Sequence, residues 1–276
     1  MQTMITAHGL RMPKLGFGTY RMKGAECQDA VERALGLGYR HIDDAEMYDN
    51  EEAVGAAIKA SGVPRGDIHL TTKVTWSHLA PAEMQKAMET SLGKLQTDYV
   101  DLYLIHWPAK DMDLPASLEM LMRLQEQGFT RKIGVCNFPV ALLKRTVEEV
   151  GAPIVCNQVE YHVLLSQAKL MEYMKSKDLV LIAYCPLAQG RLGDHPELTR
   201  IAQKHGVTPG QVALRWLLDQ PDVAAIPKAQ RVETQTANFA AATLDLHLDD
   251  SDLAAIAALP KDQRFVSPPF APEWDK

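Results

Sequence analysis

Cysteine is scarce in this 276-residue chain: it has four, Cys27, Cys136, Cys156 and Cys185, and no two form a CxxC pair. A disulfide framework or a zinc ribbon is therefore not expected, and these residues read as reduced core or pocket thiols of a cytoplasmic protein. No HxH pair occurs. No apolar run approaches the ~20 residues of a membrane helix, and Met1 to Pro13 lacks the shape of a signal peptide. Basic charge is not in excess: the net charge is −6, which argues against nucleic acid or an anionic membrane as partner. The early glycines, Gly16 and Gly18, have no third glycine in the G-x-G-x-x-G frame, so a doubly wound dinucleotide fingerprint is absent.

What the chain has is a repeat of β-rich runs and amphipathic stretches. Strands are expected at Leu15–Tyr20, Tyr39–Ala45, His69–Val74, Tyr99–Trp107, Lys132–Asn137, Ile154–Glu160, Leu179–Cys185 and Val223–Pro227. Helices are expected at Glu26–Leu37, Glu51–Ala60, Pro81–Leu95, Leu118–Gln127, Val140–Val150 and Gln167–Ser176. Two more, Glu197–His205 and Pro209–Leu218, form an insertion before the last strand, and Val232–Ala242 and Ser251–Leu259 close the chain. Repeated βα units imply a parallel sheet. With no linker or low-complexity break, the expected architecture is α/β: one (β/α)8 TIM-barrel domain spanning residues 1–276. An N-terminal β-hairpin and a C-terminal loop from Pro260 onward complete it.

Active sites of such barrels lie at the C-terminal ends of the strands. There the sequence places Asp43, Asp44, Glu46 and Tyr48, then Lys73, then His106 and Trp107. Beyond them come Cys136 and Asn137, then Gln158, Glu160, Tyr161 and His162, then Tyr184 and Cys185, then Pro227 and Lys228. A lysine facing the barrel mouth needs an anion, and Asp43 supplies one. An ammonium beside Tyr48 is expected to lower the phenol's pKa and fit it for proton transfer near neutrality. His106 can orient a carbonyl oxygen. Such a set suits carbonyl reduction, in which hydride adds to carbon and a proton reaches oxygen. Taken singly, each residue has an ordinary reading: Lys73 snorkelling to solvent, Tyr48 on a surface loop, His106 as a hydrogen-bonded core histidine. A metal reading of His41, Asp43, Asp44 and Glu46 competes, but adjacent strand residues point to opposite faces, and the expectation is no metal.

The ordered motifs resemble those of the aldo-keto reductase superfamily over essentially the whole chain. They are GFGTY (16–20), HIDDAEMYDNE (41–51), TTKV (71–74), DYVDLYLIHWP (98–108), IGVCNF (133–138), NQVEYH (157–162), AYCPLAQG (183–190) and IPK (226–228). The tail RFVSPPFAPEWD (264–275) is similar to the 2,5-diketo-D-gluconate reductase B branch, whose members also reduce methylglyoxal-type dicarbonyls. The resemblance implies a barrel that binds NADPH in extended form, with NADH possible. It implies a small carbonyl substrate and a monomer as the common state. The catalytic set falls on Asp43, Tyr48, Lys73 and His106. Asn137 and Gln158 match residues that hold the nicotinamide carboxamide, and Tyr184 the ring that stacks on it. Gly18, Thr19, Pro186, Leu187 and Gly190 match the cofactor-binding loops, and Lys228, Ala229, Arg231, Thr234 and Asn238 the adenosine end. Tyr20, Trp76, Trp107 and Trp274 are expected to line the substrate pocket.

The chain departs from the family pattern in places. Asp44 stands where threonine is usual, and Cys136 and Cys185 where serine is usual. Thr75 precedes Trp76 where the family has tryptophan. Ala229 and Thr234 replace a serine and an arginine, so Arg231 is the candidate to meet the 2′-phosphate. Two other readings stay open: a cofactor-sensing barrel without turnover, and an alcohol dehydrogenase working in oxidation.

Overall fold

The computed structural model describes residues 3–275. It opens with an antiparallel hairpin, β1 (Met4–Ala7) and β2 (Leu10–Pro13). His8 and Gly9 turn it with φ of +46° and +71°, the sign that matches a two-residue turn to the twist of its strands. Eight parallel strands follow: β3 (Phe17–Gly18), β4 (His41–Asp43), β5 (His69–Val74), β6 (Val100–Ile105), β7 (Thr130–Cys136), β8 (Cys156–Glu160), β9 (Val180–Tyr184) and β10 (Val223–Ala225). Each pairs with its sequence neighbour, in the order β3 to β10.

The sheet curls until its two edges meet. Ala225 N–H donates to Lys14 C=O (2.7 Å), Gly16 N–H to Ala225 C=O (2.8 Å) and Gly18 N–H to Pro227 C=O (3.2 Å). These are single parallel bridges, Leu15–Ala225 and Gly18–Lys228, in place of a continuous ladder. A Cβ at Gly18 would lie 2.9 Å from the Ile226 carbonyl oxygen, so the edges meet closely only because this residue is glycine.

Helices connect the strands: α1 (Gly24–Leu37), α2 (Glu51–Ala60), α3 (Pro81–Leu95), α4 (Leu114–Glu126), α5 (Val140–Lys144), α6 (Ala168–Ser176), α7 (Pro196–His205), α8 (Pro209–Asp219), α9 (Val232–Ala241) and α10 (Asp250–Ala257). Their ends carry local signals. Thr208 and Gln211 form a reciprocal capping box on α8, satisfying amides that have no intrahelical partner. Gly38 ends α1 at φ 108°. Strands β3 and β4 are shorter than the expected Leu15–Tyr20 and Tyr39–Ala45, and two helices also differ. The fourth helix begins at Leu114, four residues early, because Asp113 accepts the Ala116 N–H and Pro115 suits the first turn. The stretch expected as one helix to Val150 changes at Arg145–Glu149 into a π-helical turn.

Side-chain alternation divides the core. On β6, Leu102 and Leu104 face the inside of the curled sheet with Val180, Ile182 and Ala224. Tyr103 and Ile105 face the helices, as the period of two requires. The hairpin's Ile5, Leu10 and Met12 join the inner cluster and plug its lower end. The opposite end is left for polar residues.

The helical layer is tight between α2 and α3, where a Cβ on Gly55 would lie 2.7 Å from the backbone of Lys94 and Leu95. Gly55→Ala is expected to destabilise the protein by about 1–3 kcal/mol through overpacking, read as a lower urea midpoint with an unchanged slope.

Candidate active site

The C-terminal ends of β4, β5 and β6 bring Asp43, Lys73 and His106 together, and a short 3-10 turn, Glu46–Tyr48, delivers Tyr48. Lys73 lies on the same row as the inward-facing Leu104, and its side chain is wholly buried. Its Nζ donates to Asp43 Oδ1 (2.6 Å) and to the Asp44 carbonyl oxygen (2.8 Å), and reaches Tyr48 Oη at 3.5 Å. Burial opposes the lysine's charge, but the Asp43 carboxylate overrides it, and the pKa is raised. The ammonium persists at every physiological pH.

Tyr48 overturns one expectation. Its pKa is raised, because burial disfavours the phenolate more than Lys73 stabilises it. Tyr48 is therefore held as a protonated phenol, suited to giving a proton. Its ring packs edge-on to His106, 5.5 Å between centroids, and against Tyr20 at 5.1 Å. Burial, then Lys73, push the His106 pKa well below 6.5. The neutral imidazole keeps one N–H to offer, and its buried Nδ1 has no partner among the described residues.

Two amides tie the neighbouring strands to this cluster. Gln158 donates to Asp43 Oδ2 (2.7 Å), leaving its carbonyl oxygen as the end able to accept from a carboxamide. Asn137, with φ +62° just past β7, donates to the His106 carbonyl oxygen (2.9 Å) and accepts from Tyr184 Oη (2.8 Å). The expected cofactor residues thus fall on adjacent strands, β7 to β10, and around the seam to β3. Thr19 is engaged internally: its hydroxyl contacts both the Asp43 carbonyl oxygen (3.0 Å) and Asp44 Oδ1 (2.8 Å). Past β9 the chain turns through Cys185 at φ +52°, buried Pro186, half-buried Leu187 and Gly190 at φ +86°.

Beyond β10, Lys228 bonds Gln230 Oε1 (2.5 Å), whose amide bonds Glu26 Oε1 (2.6 Å). Arg231 is exposed at the start of α9, with Thr234 half-buried in its first turn and Ala229 buried. Asn238 is buried with its Nδ2 unpartnered among the described residues. Gln230 was not foreseen: nothing in its local sequence marks it, and only the fold sets it between Lys228 and Glu26.

On the opposite side an aromatic wall forms. Trp76 stacks on Phe270 (5.3 Å), Phe270 meets Trp107 edge-on (5.6 Å), and Trp274 approaches Trp107 at 6.1 Å. Tyr20 is half-exposed beside Tyr48. Phe270 is a second residue the sequence reading missed, because its tail has no periodicity to show which way a side chain faces. The competing donors of the β4 region disperse. His41 faces the Pro13 carbonyl oxygen (3.3 Å), Asp44 takes Thr19, and Glu46 takes His78 (2.6 Å) and the Thr75 N–H (2.9 Å).

A buried ammonium–carboxylate pair beside a protonated phenol and a neutral imidazole can hold a carbonyl oxygen and deliver a proton to it. Fold and site define a carbonyl-directed oxidoreductase class. The chain belongs to the aldo/keto reductase family, whose model matches residues 14–261. It is 40% identical over 270 residues to methylglyoxal reductase DkgB of Salmonella typhi, covering 96% of this chain and 100% of that one. It is 41% identical over 263 residues to methylglyoxal reductase DkgA of Yersinia pestis, covering 94% and 93%. A crystal structure provisionally named a 2,5-diketo-D-gluconic acid reductase B superposes with a TM-score of 0.96 at 39% identity, covering 100% of this chain and 98% of that one.

Asp44 is fully buried, and its pKa is raised to about 7 by burial and then by Glu51. A carboxyl raised in the folded state binds its proton more tightly there than when unfolded. Folding is thus progressively penalised as pH rises from about 4 to about 7. Asp44→Asn keeps an acceptor for Thr19 without the charge. The variant should gain on the parent by about 2–4 kcal/mol at pH 8 and lose most of that advantage by pH 5. Parallel thermal melts from pH 5 to 8 check this.

Proposed function

We propose that this chain is an NADPH-dependent reductase of small aldehydes, ketones and dicarbonyls of the methylglyoxal and diketo-sugar type. The observation that carries the reading is the Lys73–Asp43 pair at 2.6 Å with Tyr48 Oη 3.5 Å away. The names of its relatives point to the same substrates. We read the curled sheet as a closed (β/α)8 barrel in a single domain, acting as a monomer. Four free cysteines fit a reducing, cytoplasmic setting.

The residues of the rim fit a phosphorylated dinucleotide. Asn238 Nδ2 is a buried donor without a partner, Lys228 is held by a neutral amide, and Arg231 adds an exposed guanidinium. Gln158 and Asn137 would hold the carboxamide and Tyr184 would stack on the ring, with Gly18, Thr19, Pro186, Leu187 and Gly190 along the chain between. Ala229 and Thr234 would flank the adenosine end. When bound, the reduced nicotinamide supplies the hydride that reaches the carbonyl carbon.

The chain's own residues do the rest. The His106 N–H and Tyr48 Oη–H converge on the carbonyl oxygen and orient it. Tyr48 gives its proton to that oxygen as negative charge develops. Lys73 stabilises the phenolate left behind, and Asp43 keeps the lysine in place. Tyr20, Trp76, Trp107 and Trp274 line the mouth and exclude water.

Tyr48→Phe should lower kcat/KM for methylglyoxal by about 10²–10⁴-fold with NADPH binding unchanged by fluorescence titration; activity within a few-fold of the parent overturns the assignment. Tight NADPH binding by a parent that turns over no carbonyl would instead favour the cofactor-sensing barrel. Lys228→Ala and Arg231→Ala should each raise the KM for NADPH about 10–100-fold, the loss of one charged hydrogen bond, and leave NADH turnover alone.

A further inference from the structure

Glu160, the last residue of β8, is fully buried and has no part in the proton transfer described above. Its carboxylate is surrounded by donors. Oε1 accepts the Phe265 N–H (2.7 Å) and faces His162 Nε2 (3.2 Å), while Oε2 accepts the Val266 N–H (3.0 Å) and lies 3.7 Å from Arg264 Nη1. His162 Nδ1 accepts the Leu164 N–H (3.3 Å), so its proton sits on Nε2 and points at Glu160. The imidazole also stacks on Phe265, 5.3 Å between centroids.

These donors belong to the C-terminal tail or brace it. The tail is stitched alongside residues 163–166 by Gln263 N–H to the Leu164 carbonyl oxygen (3.0 Å) and Ser166 N–H to that of Lys261 (2.8 Å). Past Glu160 it crosses the aromatic wall, setting Phe270 between Trp76 and Trp107. The Arg264 guanidinium lies 3.8 Å from the centre of the Trp274 ring, and the far end is pinned by Val140 N–H to Asp275 Oδ2 (3.0 Å).

We propose that Glu160 is a positioning residue for substrate selection: it clamps residues 264–275 so that Phe270 and Trp274 wall the pocket mouth and confine it to small carbonyls. This rests on the carbonyl-reduction reading above. A carboxylate is required because it accepts at both oxygens. An amide of the same shape presents an N–H₂ to one of the two backbone donors, so Glu160→Gln breaks the clamp without changing the volume.

The test compares parent, Glu160→Gln and Phe270→Ala for turnover of methylglyoxal and of naphthaldehyde, and times tryptic cleavage after Lys261 and Arg264. In Glu160→Gln, tail cleavage should quicken about tenfold as the segment opens locally. The ratio of kcat/KM for naphthaldehyde over methylglyoxal should rise about tenfold, the scale of one pocket contact. That change should lie in KM, with kcat for methylglyoxal within about twofold of the parent, a split that general loss of structure would not give. Phe270→Ala leaves the clamp intact and should shift the ratio alike, which keeps the proposal testable if Glu160→Gln fails to fold. An unchanged ratio in the folded variants overturns the proposal. A parent without carbonyl turnover overturns the reduction reading and this selection role with it, while faster tail cleavage in Glu160→Gln would still report the clamp itself.

Discussion

The site depends on one ion pair closed inside the sheet. An ammonium in an apolar interior is tolerated only with a carboxylate and further hydrogen bonds around it, and removing one partner of such a pair typically costs about 3–5 kcal/mol. Lys73 meets this condition through Asp43, the Asp44 carbonyl oxygen and Tyr48. Asp43 in turn has its second oxygen filled by Gln158. Burial, more than the neighbouring charges, then decides the protonation states around it. The same burial that Asp43 overcomes for Lys73 keeps Tyr48 protonated and His106 neutral. One group is left with a proton to give and one with an N–H to aim.

This centre is coupled to its surroundings by short polar links. Gln158 connects β8 to Asp43 at the end of β4, Asn137 connects the end of β7 to His106 past β6, and Tyr184 is fixed through Asn137. Two of the turns that make this possible are strained: Asn137 and Cys185 hold left-handed backbone without being glycine, at a typical cost of order 1–3 kcal/mol. Both lie just past a strand end, where a sharp change of direction brings side chain or backbone to the rim. Glu160 lies two residues past Gln158 on β8, in register with Tyr184, and accepts from the tail that completes the opposite wall.

Strand and helix positions were largely legible because alternation and helical spacing are local signals. His69–Val74 and Pro81–Leu95 emerge as read. The start of α4 was missed although Asp113 and Pro115 mark it, because the apolar spacing is clearer from Leu118. The π-helical turn at Arg145–Glu149 has no local signature. Among the site residues, the four expected to do the chemistry do converge, and the aromatic wall does assemble. The direction of the Tyr48 shift was misread, because a sequence shows that a lysine is near but not how completely both groups are buried.

The sequence by itself determined which chemistry-bearing residues stand at the ends of strands, since a period of two and the turn after each strand are written in neighbouring residues. It also determined the family, through motifs kept in order. Only the tertiary structure decided what those residues do to one another. The balance between burial and charge at Tyr48 needs distances across three strands. The partners of Gln230 and Glu160 lie 204 and 105 residues away. Cysteine scarcity, the first feature of the chain, leaves the tail without a disulfide among the described residues, and hydrogen bonds to Glu160, to the backbone of residues 164–166 and from Val140 to Asp275 hold it instead.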